Sequence, residues 1–245
     1  MSKKNNNTVN ILTIDGGGIR GILPAEILVY IEQRLKELCG KDKRISDHFD
    51  YIAGTSTGGI LAGLYVMPDE KGNSKYTALE ASNLYFDHGS KIFKKQFRWY
   101  YTLAGLIAPR YNPDNLEELF IECFGHTLIS QAITPFMVTS VDTDNRDLYL
   151  FKSYNTKDPN KDRFFREALR ATTAAPTYFK PYHMKYNDGT DYSLIDGGIA
   201  MNNPSVSAFI EVMKLFPNAK RLILYLLEQE QQKILILIQT LRNGE

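Results

Sequence analysis

Three short glycine-rich segments carry the residue types that acyl transfer requires. Gly54-Thr55-Ser56-Thr57-Gly58 fits G-x-S-x-G between two apolar runs, the strand-turn-helix setting in which this motif presents a nucleophilic serine. A strained turn pushes the Ser56 hydroxyl into the open. Glycines at 54 and 58 remove Cβ atoms that would meet strand and helix, and a following helix N-terminus favours negative charge on the oxygen. Similar composition also marks turns that cradle phosphate, and that reading stands beside the catalytic one. In Asp15-Gly16-Gly17-Gly18-Ile19-Arg20-Gly21, several residues without side chains precede a helix, so backbone N–H groups there can converge on an oxyanion. Arg20 can steady this loop or meet a phosphate head group. A nucleotide loop is disfavoured, because G-x-x-x-x-G-K-[ST] is absent and G-x-G-x-x-G fits only loosely. In Ile195-Asp196-Gly197-Gly198 the aspartate alone is an ordinary turn residue. Beside an activated serine it gains meaning, since a carboxylate within hydrogen-bond reach accepts the hydroxyl proton directly.

Strands alternating with helices must position these turns. The run from Val9 to Ile14 ends at Asp15, and apolar residues recur at helical period from Ile22 to Leu38, with Pro24 in the first turn and Gly40 as the stop. Phe49 to Ala53 reads as a buried strand and Ile60 to Val66 as an apolar helix, with Gly54 to Gly59 as the turn between them. A helix from Pro113 to Phe124 is capped by Asn112. Thr134 to Val141 and Asp147 to Phe151 read as strands about the turn-forming DTDN, and Arg163 to Ala171 as a helix. Tyr192 to Ile195 is a short strand, a helix follows Pro204, and Arg221 to Leu227 is a last strand. The pattern predicts one α/β domain with a mostly parallel central sheet flanked by helices. Ligands bind such sheets outside the carboxyl ends of the strands, where all three turns fall. Residues 68 to 130 are otherwise irregular. The aromatic stretch Phe93 to Tyr101, with Lys94, Lys95 and Arg98, reads either as a lipid-facing lid or as core packing with solvated lysines. Lys41 to Arg44 reads as a solvated loop.

At 245 residues and 43% hydrophobic content the chain can bury a sizeable core in a single domain. Its 29 basic against 28 acidic residues leave a net charge of +1, which provides no long-range field for nucleic acid or an anionic membrane. Cys39 and Cys123 stand far apart without metal spacing, so neither a disulfide framework nor a zinc site is indicated. The start, MSKKNNNTVN, lacks the apolar core of a secretory signal, and no run of roughly eighteen apolar residues could span a membrane. A soluble protein made in the cytoplasm is expected, with export by a signal-less route left open.

The turns DGGGIRG, GTSTGG and DGG, in this order, resemble the patatin-like phospholipases, in their bacterial type. LRATTAAPTYFKPY (Leu169 to Tyr182) and DGGIAMNNP (Asp196 to Pro204) are similar to family segments too, and the resemblance covers Val9 to Leu224. It implies a patatin-like three-layer α/β/α fold and a Ser-Asp dyad in place of a triad. By position, Ser56 is then the nucleophile and Asp196 the base. Gly16, Gly17 and Gly18 with the motif arginine Arg20 form the oxyanion hole; Gly54, Thr55, Thr57 and Gly58 form the nucleophile elbow, and Gly197 and Gly198 the acidic turn. The implied activity is hydrolysis of fatty-acyl esters of phospholipids or lysophospholipids at a membrane surface, through an acyl-enzyme, with neither metal nor organic cofactor. Family habit adds host membranes as a target after export. An activator protein and the oligomeric state are left unspecified. The only histidines are His48, His88, His126 and His183, none in a triad motif, and His183 is held in reserve as the nearest to Asp196. An inert remnant that only binds lipid or a protein partner is the competing reading, and phosphate binding at the glycine loops a third.

Members of the family continue the strand at Arg221 to Leu224 into a Gly-Thr-Gly-like turn and further helices. Here the chain reads YLLEQEQQKILILIQTLRNGE. Glu228 to Gln232 can be encoded GAA CAG GAA CAA CAA, which after a preceding G reads Gly-Thr-Gly-Thr-Thr in the neighbouring frame. The expected division is therefore a polar tail over residues 1–8, a hydrolase domain over 9–224, and an atypical ending over 225–245 produced by frameshift or truncation. Codons that give no Gly-Thr-Gly in any frame would exclude this origin. The apolar ILILI of that ending is an aggregation risk.

Overall fold

Val9, Ile11, Leu12 and Ile14 are all buried, so the first strand has cover on both faces and lies inside a sheet, not at its edge. The computed structural model describes residues 7–92, 111–154, 162–186, 188–229 and 233–241. In chain order its elements are β1 (Thr8–Ile14), α1 (Ile22–Cys39), α2 (Ile45–His48), β2 (Tyr51–Thr55), α3 (Thr57–Val66), α4 (Ala78–Ile92), α5 (Asp114–Phe124), β3 (Phe136–Asp142), β4 (Asp147–Lys152), α6 (Phe165–Thr172), β5 (Tyr182–Lys185), β6 (Asp191–Asp196), α7 (Gly198–Met201), α8 (Ser205–Leu215), β7 (Arg221–Glu228) and β8 (Lys233–Thr240). The strands form one sheet in the order β5-β6-β3-β2-β1-β7-β8, with β4 paired to β3 off that path.

Helices cover both faces, giving the expected single α/β domain. On one side α1, α3, α4, α5 and α6 enclose a core that includes Leu28, Leu61, Phe120, Phe136 and Leu169. On the other side Ala208 and Val212 of α8 pack against Val9, Ile11, Tyr51 and Leu222. Every residue of α3 is buried, as its sequence TGGILAGLYV, apolar all round, requires.

The sheet is mixed where the sequence predicts a mostly parallel one. The inner pairings β7–β1, β1–β2 and β2–β3 are parallel, while β3–β4, β3–β6, β5–β6 and β7–β8 are antiparallel. For β3–β4, β5–β6 and β7–β8 the cause is connection length: a parallel crossover needs about a dozen residues, and the turns after β3, β5 and β7 are far shorter. Two registers decide where the functional turns meet. β2 pairs with β3 up to Thr55↔Thr139, and β6 pairs with the next step of β3 through Ser140↔Asp196. Since β4 occupies the other edge of β3 from Met137 to Asp142, β2 and β6 share one edge and their carboxyl ends abut head to head.

β2 ends two residues later than predicted, at Thr55, and α3 starts at Thr57, which compresses the expected six-residue turn to Ser56 alone. β7 runs through Leu224 to Glu228, so the division drawn at residue 224 falls inside a strand, and β8 pairs with it along eight residues. Ile234, Leu235, Ile236, Leu237 and Ile238 of β8 are all exposed. The stretch from Phe93 to Tyr101 lies outside the described residues. Lys41, Asp42 and Lys43 are exposed, matching the solvated loop expected there. Among the described residues no helix is long and apolar enough to cross a membrane.

Candidate active site

Ser56 sits between β2 and α3 with φ 53 and ψ −124, a left-handed conformation that costs a non-glycine residue about 1–3 kcal/mol. Its surroundings hold it there. A Cβ on Gly54 would stand 2.3 Å from the Gly58 carbonyl oxygen, and one on Gly58 would stand 2.3 Å from the Ile14 oxygen. Both glycines therefore permit main-chain contacts that fold strand and helix back on each other. The Ser56 N–H donates to Thr172 Oγ1 at 2.9 Å, and the Ser56 carbonyl accepts from Gly59 N–H at 2.9 Å to start α3. Thr55 Oγ1 lies 2.7 Å from Thr139 Oγ1 and donates to the Met201 carbonyl at 2.9 Å, tying the end of β2 to β3 and to α7. The Thr57 carbonyl accepts from Tyr85 Oη at 2.5 Å.

The head-to-head ends of β2 and β6 bring together residues 140 positions apart. Ser56 Oγ donates to Asp196 Oδ2 at 2.6 Å, and Gly198 N–H donates to Asp196 Oδ1 at 2.7 Å. Asp196 is only 5% exposed. Burial pushes its carboxyl up to about 6, against the bonds from Ser56 and Gly198 that pull it down. Gly197 must be glycine, because a Cβ there would stand 2.1 Å from Thr139 Oγ1 and 2.5 Å from the Thr139 oxygen.

The turn after β1 completes the group. Gly16 N–H donates to the Asn202 carbonyl at 3.3 Å, so that N–H is already engaged. Asn202 Nδ2 donates to the Gly16 carbonyl at 3.2 Å, and the Gly17 carbonyl accepts from Arg20 N–H at 3.3 Å and from Arg20 Nε at 3.5 Å. Because a trans peptide sets C=O and N–H on opposite sides, holding these two carbonyls turns the Gly17 and Gly18 N–H groups the other way. Among the described residues neither N–H has a protein acceptor. Gly18 reaches its position with φ 61, in the left-handed region that glycine tolerates. Arg20 thus braces the loop.

Gly17, Gly18, Arg20, Ser56, Thr57, Asp196 and Gly198 line a cavity of about 840 Å³ whose far wall is apolar, with Leu64, Leu84, Leu116, Phe120, Phe124 and Phe179. Of the predicted site residues, Gly16, Gly54, Thr55, Gly58 and Gly197 do not line the cavity and are close-packed supports behind Ser56 and Asp196. His183 is exposed on β5 opposite Ser193, and no histidine among the described residues lines the cavity. Sequence reasoning missed Thr172, Asn202 and Gln229, whose side chains fix main-chain atoms of the turns at Ser56 and after β1, and Thr139, whose hydroxyl pairs with that of Thr55. Thr172 and Asn202 do fall in the LRATTAAPTYFKPY and DGGIAMNNP segments, which was the available signal.

A strained serine at a strand-to-helix turn, bonded to a buried carboxylate and lining a largely apolar cavity, has the local geometry of the G-x-S-x-G turn of α/β folds. The model of the patatin-like phospholipase family matches residues 12–209, and the chain belongs to this family. Patatin-like protein 2 of Arabidopsis thaliana is 37% identical over 215 residues, covering 84% of this chain and 53% of that protein. The potato (Solanum tuberosum) protein named probable inactive patatin-3-Kuras 1 is 37% identical over 204 residues, covering 81% of this chain and 53% of its own. The chain spans about half the length of these relatives. VipD from Legionella pneumophila superposes with a TM-score of 0.36 at 14% identity, over 80% of this chain and 46% of that one.

Proposed function

We propose that this chain is a serine lipid acyl hydrolase that cleaves fatty-acyl esters of phospholipids or lysophospholipids at a membrane surface. The 2.6 Å bond from Ser56 Oγ to Asp196 Oδ2 is the observation that carries this reading. Asp196 takes the hydroxyl proton as Oγ bonds to the acyl carbon, and the Gly17 and Gly18 N–H groups stabilise the carbonyl oxygen as it gains charge. Collapse of the tetrahedral species breaks the ester bond, and the leaving alkoxide takes the proton from Asp196. Water then attacks the Ser56 ester, gives its proton to Asp196, and the fatty acid leaves as Ser56 Oγ recovers that proton. The N-terminus of α3 adds a favourable field at Oγ. The apolar cavity wall supports an acyl chain as the group bound. In this reading the hydrolase domain begins at residue 9 and takes in the whole of β7. Motif resemblance points to the bacterial side of the family and to host membranes as the target, while the Arabidopsis and potato relatives are plant proteins.

The test is a fluorophosphonate probe and a chromogenic short-chain ester, applied to the chain and to Ser56→Ala after circular dichroism shows both to be folded. Labelling and turnover are expected in the first and abolished in the second. A folded parent chain that neither labels nor turns over ester would support the inert, ligand-binding alternative; the potato relative carries the words probable inactive in its name.

A further inference from the structure

Gln229 is the point at which the β7 ladder passes to the turn Asp15 to Gly21. β1 and β7 stay in register through Ile14↔Leu227, and Asp15 N–H donates to the Leu227 carbonyl at 3.2 Å. The next rung comes from a side chain: Gln229 Nε2 donates to the Asp15 carbonyl at 2.5 Å, with Gln229 only 1% exposed. The Asp15–Gly16 peptide is therefore held at both edges, by Gln229 on its oxygen and by the Asn202 carbonyl on its N–H. The same side chain fills the space beneath the turn. A Cβ on Gly17 would stand 1.9 Å from Gln229 Oε1 and 3.0 Å from Gln229 Cβ, so a side chain at position 17 would have to displace the Gln229 amide. Among the described residues Gln229 Oε1 is buried without a hydrogen-bond partner. An apolar side chain of the same length would fill this space without that penalty, so packing alone does not account for an amide here.

We infer that Gln229 is a positioning residue for the reaction, holding the Asp15–Gly16 peptide so that the Gly17 and Gly18 N–H groups stay aimed at the cavity above Ser56; the inference rests on the acyl-hydrolase reading. Gln229 does not line the cavity. It acts through the loop, whose donors lose catalytic value when displaced by a fraction of an ångström to an ångström.

Gln229→Met in the full chain keeps the length and flexibility of the side chain and removes the donor. Fluorophosphonate labelling and kcat on a soluble ester are expected to fall roughly 10- to 100-fold with KM little changed and the melting temperature near that of the parent. Hydrogen exchange followed by mass spectrometry is expected to quicken in the peptide covering residues 15–21 and nowhere else. Wild-type kcat with unchanged exchange in that peptide would overturn the inference. If Gln229→Met does not fold, Gln229→Glu decides, because a protonated Glu can donate to Asp15 and an ionised one cannot. Its rate relative to the parent is expected to rise as pH falls from about 8 to 5, and a flat ratio would overturn the inference. Should the parent itself fail to label, the hydrolase reading falls, and the exchange measurement still decides whether Gln229 holds the turn.

Discussion

Asp196→Asn should abolish turnover and stabilise the protein at neutral pH. The ordinary value for this carboxyl is 3.8, and burial in the folded chain pushes it up to about 6. A raised value means that the folded state holds the proton more tightly than the unfolded one. The stability linked to it is fully present below pH 3.8, is lost as pH rises towards 6, and stays lost above that. A gap of about two between the folded and unfolded values corresponds to roughly 3 kcal/mol at pH 8. Asparagine has nearly the same shape, keeps an acceptor for Gly198 N–H and never ionises. Urea denaturation of both proteins, at intervals from pH 4 to pH 8, should give nearly equal stabilities at the acid end and a growing advantage for the variant, reaching about 3 kcal/mol. For a chain of this size that is a gain of about 6–12 °C in melting temperature. Groups other than Asp196 titrate in both proteins and cancel in the difference. A variant no more stable than the parent at pH 8, or a difference that does not grow with pH, would refute burial as the cause of the raised value.

The same carboxylate must be ionised to accept the Ser56 proton, so kcat/KM on a soluble ester should fall about tenfold per pH unit below 6, and a flat profile down to pH 4 would contradict its role as base. Gly58→Ala places a Cβ 2.3 Å from the Ile14 oxygen and 2.5 Å from the Asp15 oxygen, both main chain at the end of β1; a loss of about 3 kcal/mol or more is expected, read as a lower urea midpoint or as insoluble protein. Ile236→Lys changes a residue 55% exposed on the edge strand β8. It should leave stability within about 0.5 kcal/mol of the parent and raise the concentration at which light scattering first reports association.

The chemistry of the three turns was legible because each depends on a few adjacent residues: the glycines flanking Ser56 have the close contacts that their spacing predicts. Their convergence was not, since it rests on β2 and β6 meeting on one edge of β3, a pairing without local sequence trace. Part of the mixed sheet could have been read, because the four-residue DTDN turn is too short for anything but a hairpin between β3 and β4. α4 was also within reach. Thr77 and Glu80 make reciprocal side-chain bonds to each other's backbone N–H groups, a capping box, and Ala78, Ala81, Ser82 and Tyr85 repeat at helical period on its buried face. Asn202 showed only through the DGGIAMNNP segment and Gln229 not at all, because they act on main-chain atoms about 190 and 210 residues earlier.

The arrangement also explains how a serine and an aspartate can suffice under the proposed mechanism. In a triad the acidic member orients an imidazole that would otherwise rotate. Here the base is itself the carboxylate, and the backbone orients it: Gly198 N–H occupies Oδ1 and leaves Oδ2 to face Ser56. The distance between the two strand ends is set by consecutive residues of β3, Thr139 opposite Thr55 and Ser140 opposite Asp196. Neither end can drift without breaking sheet pairing, and Gly197 packs directly on Thr139 with no room to spare. Orientation that a triad obtains from a third side chain is obtained here from one strand that both partners share.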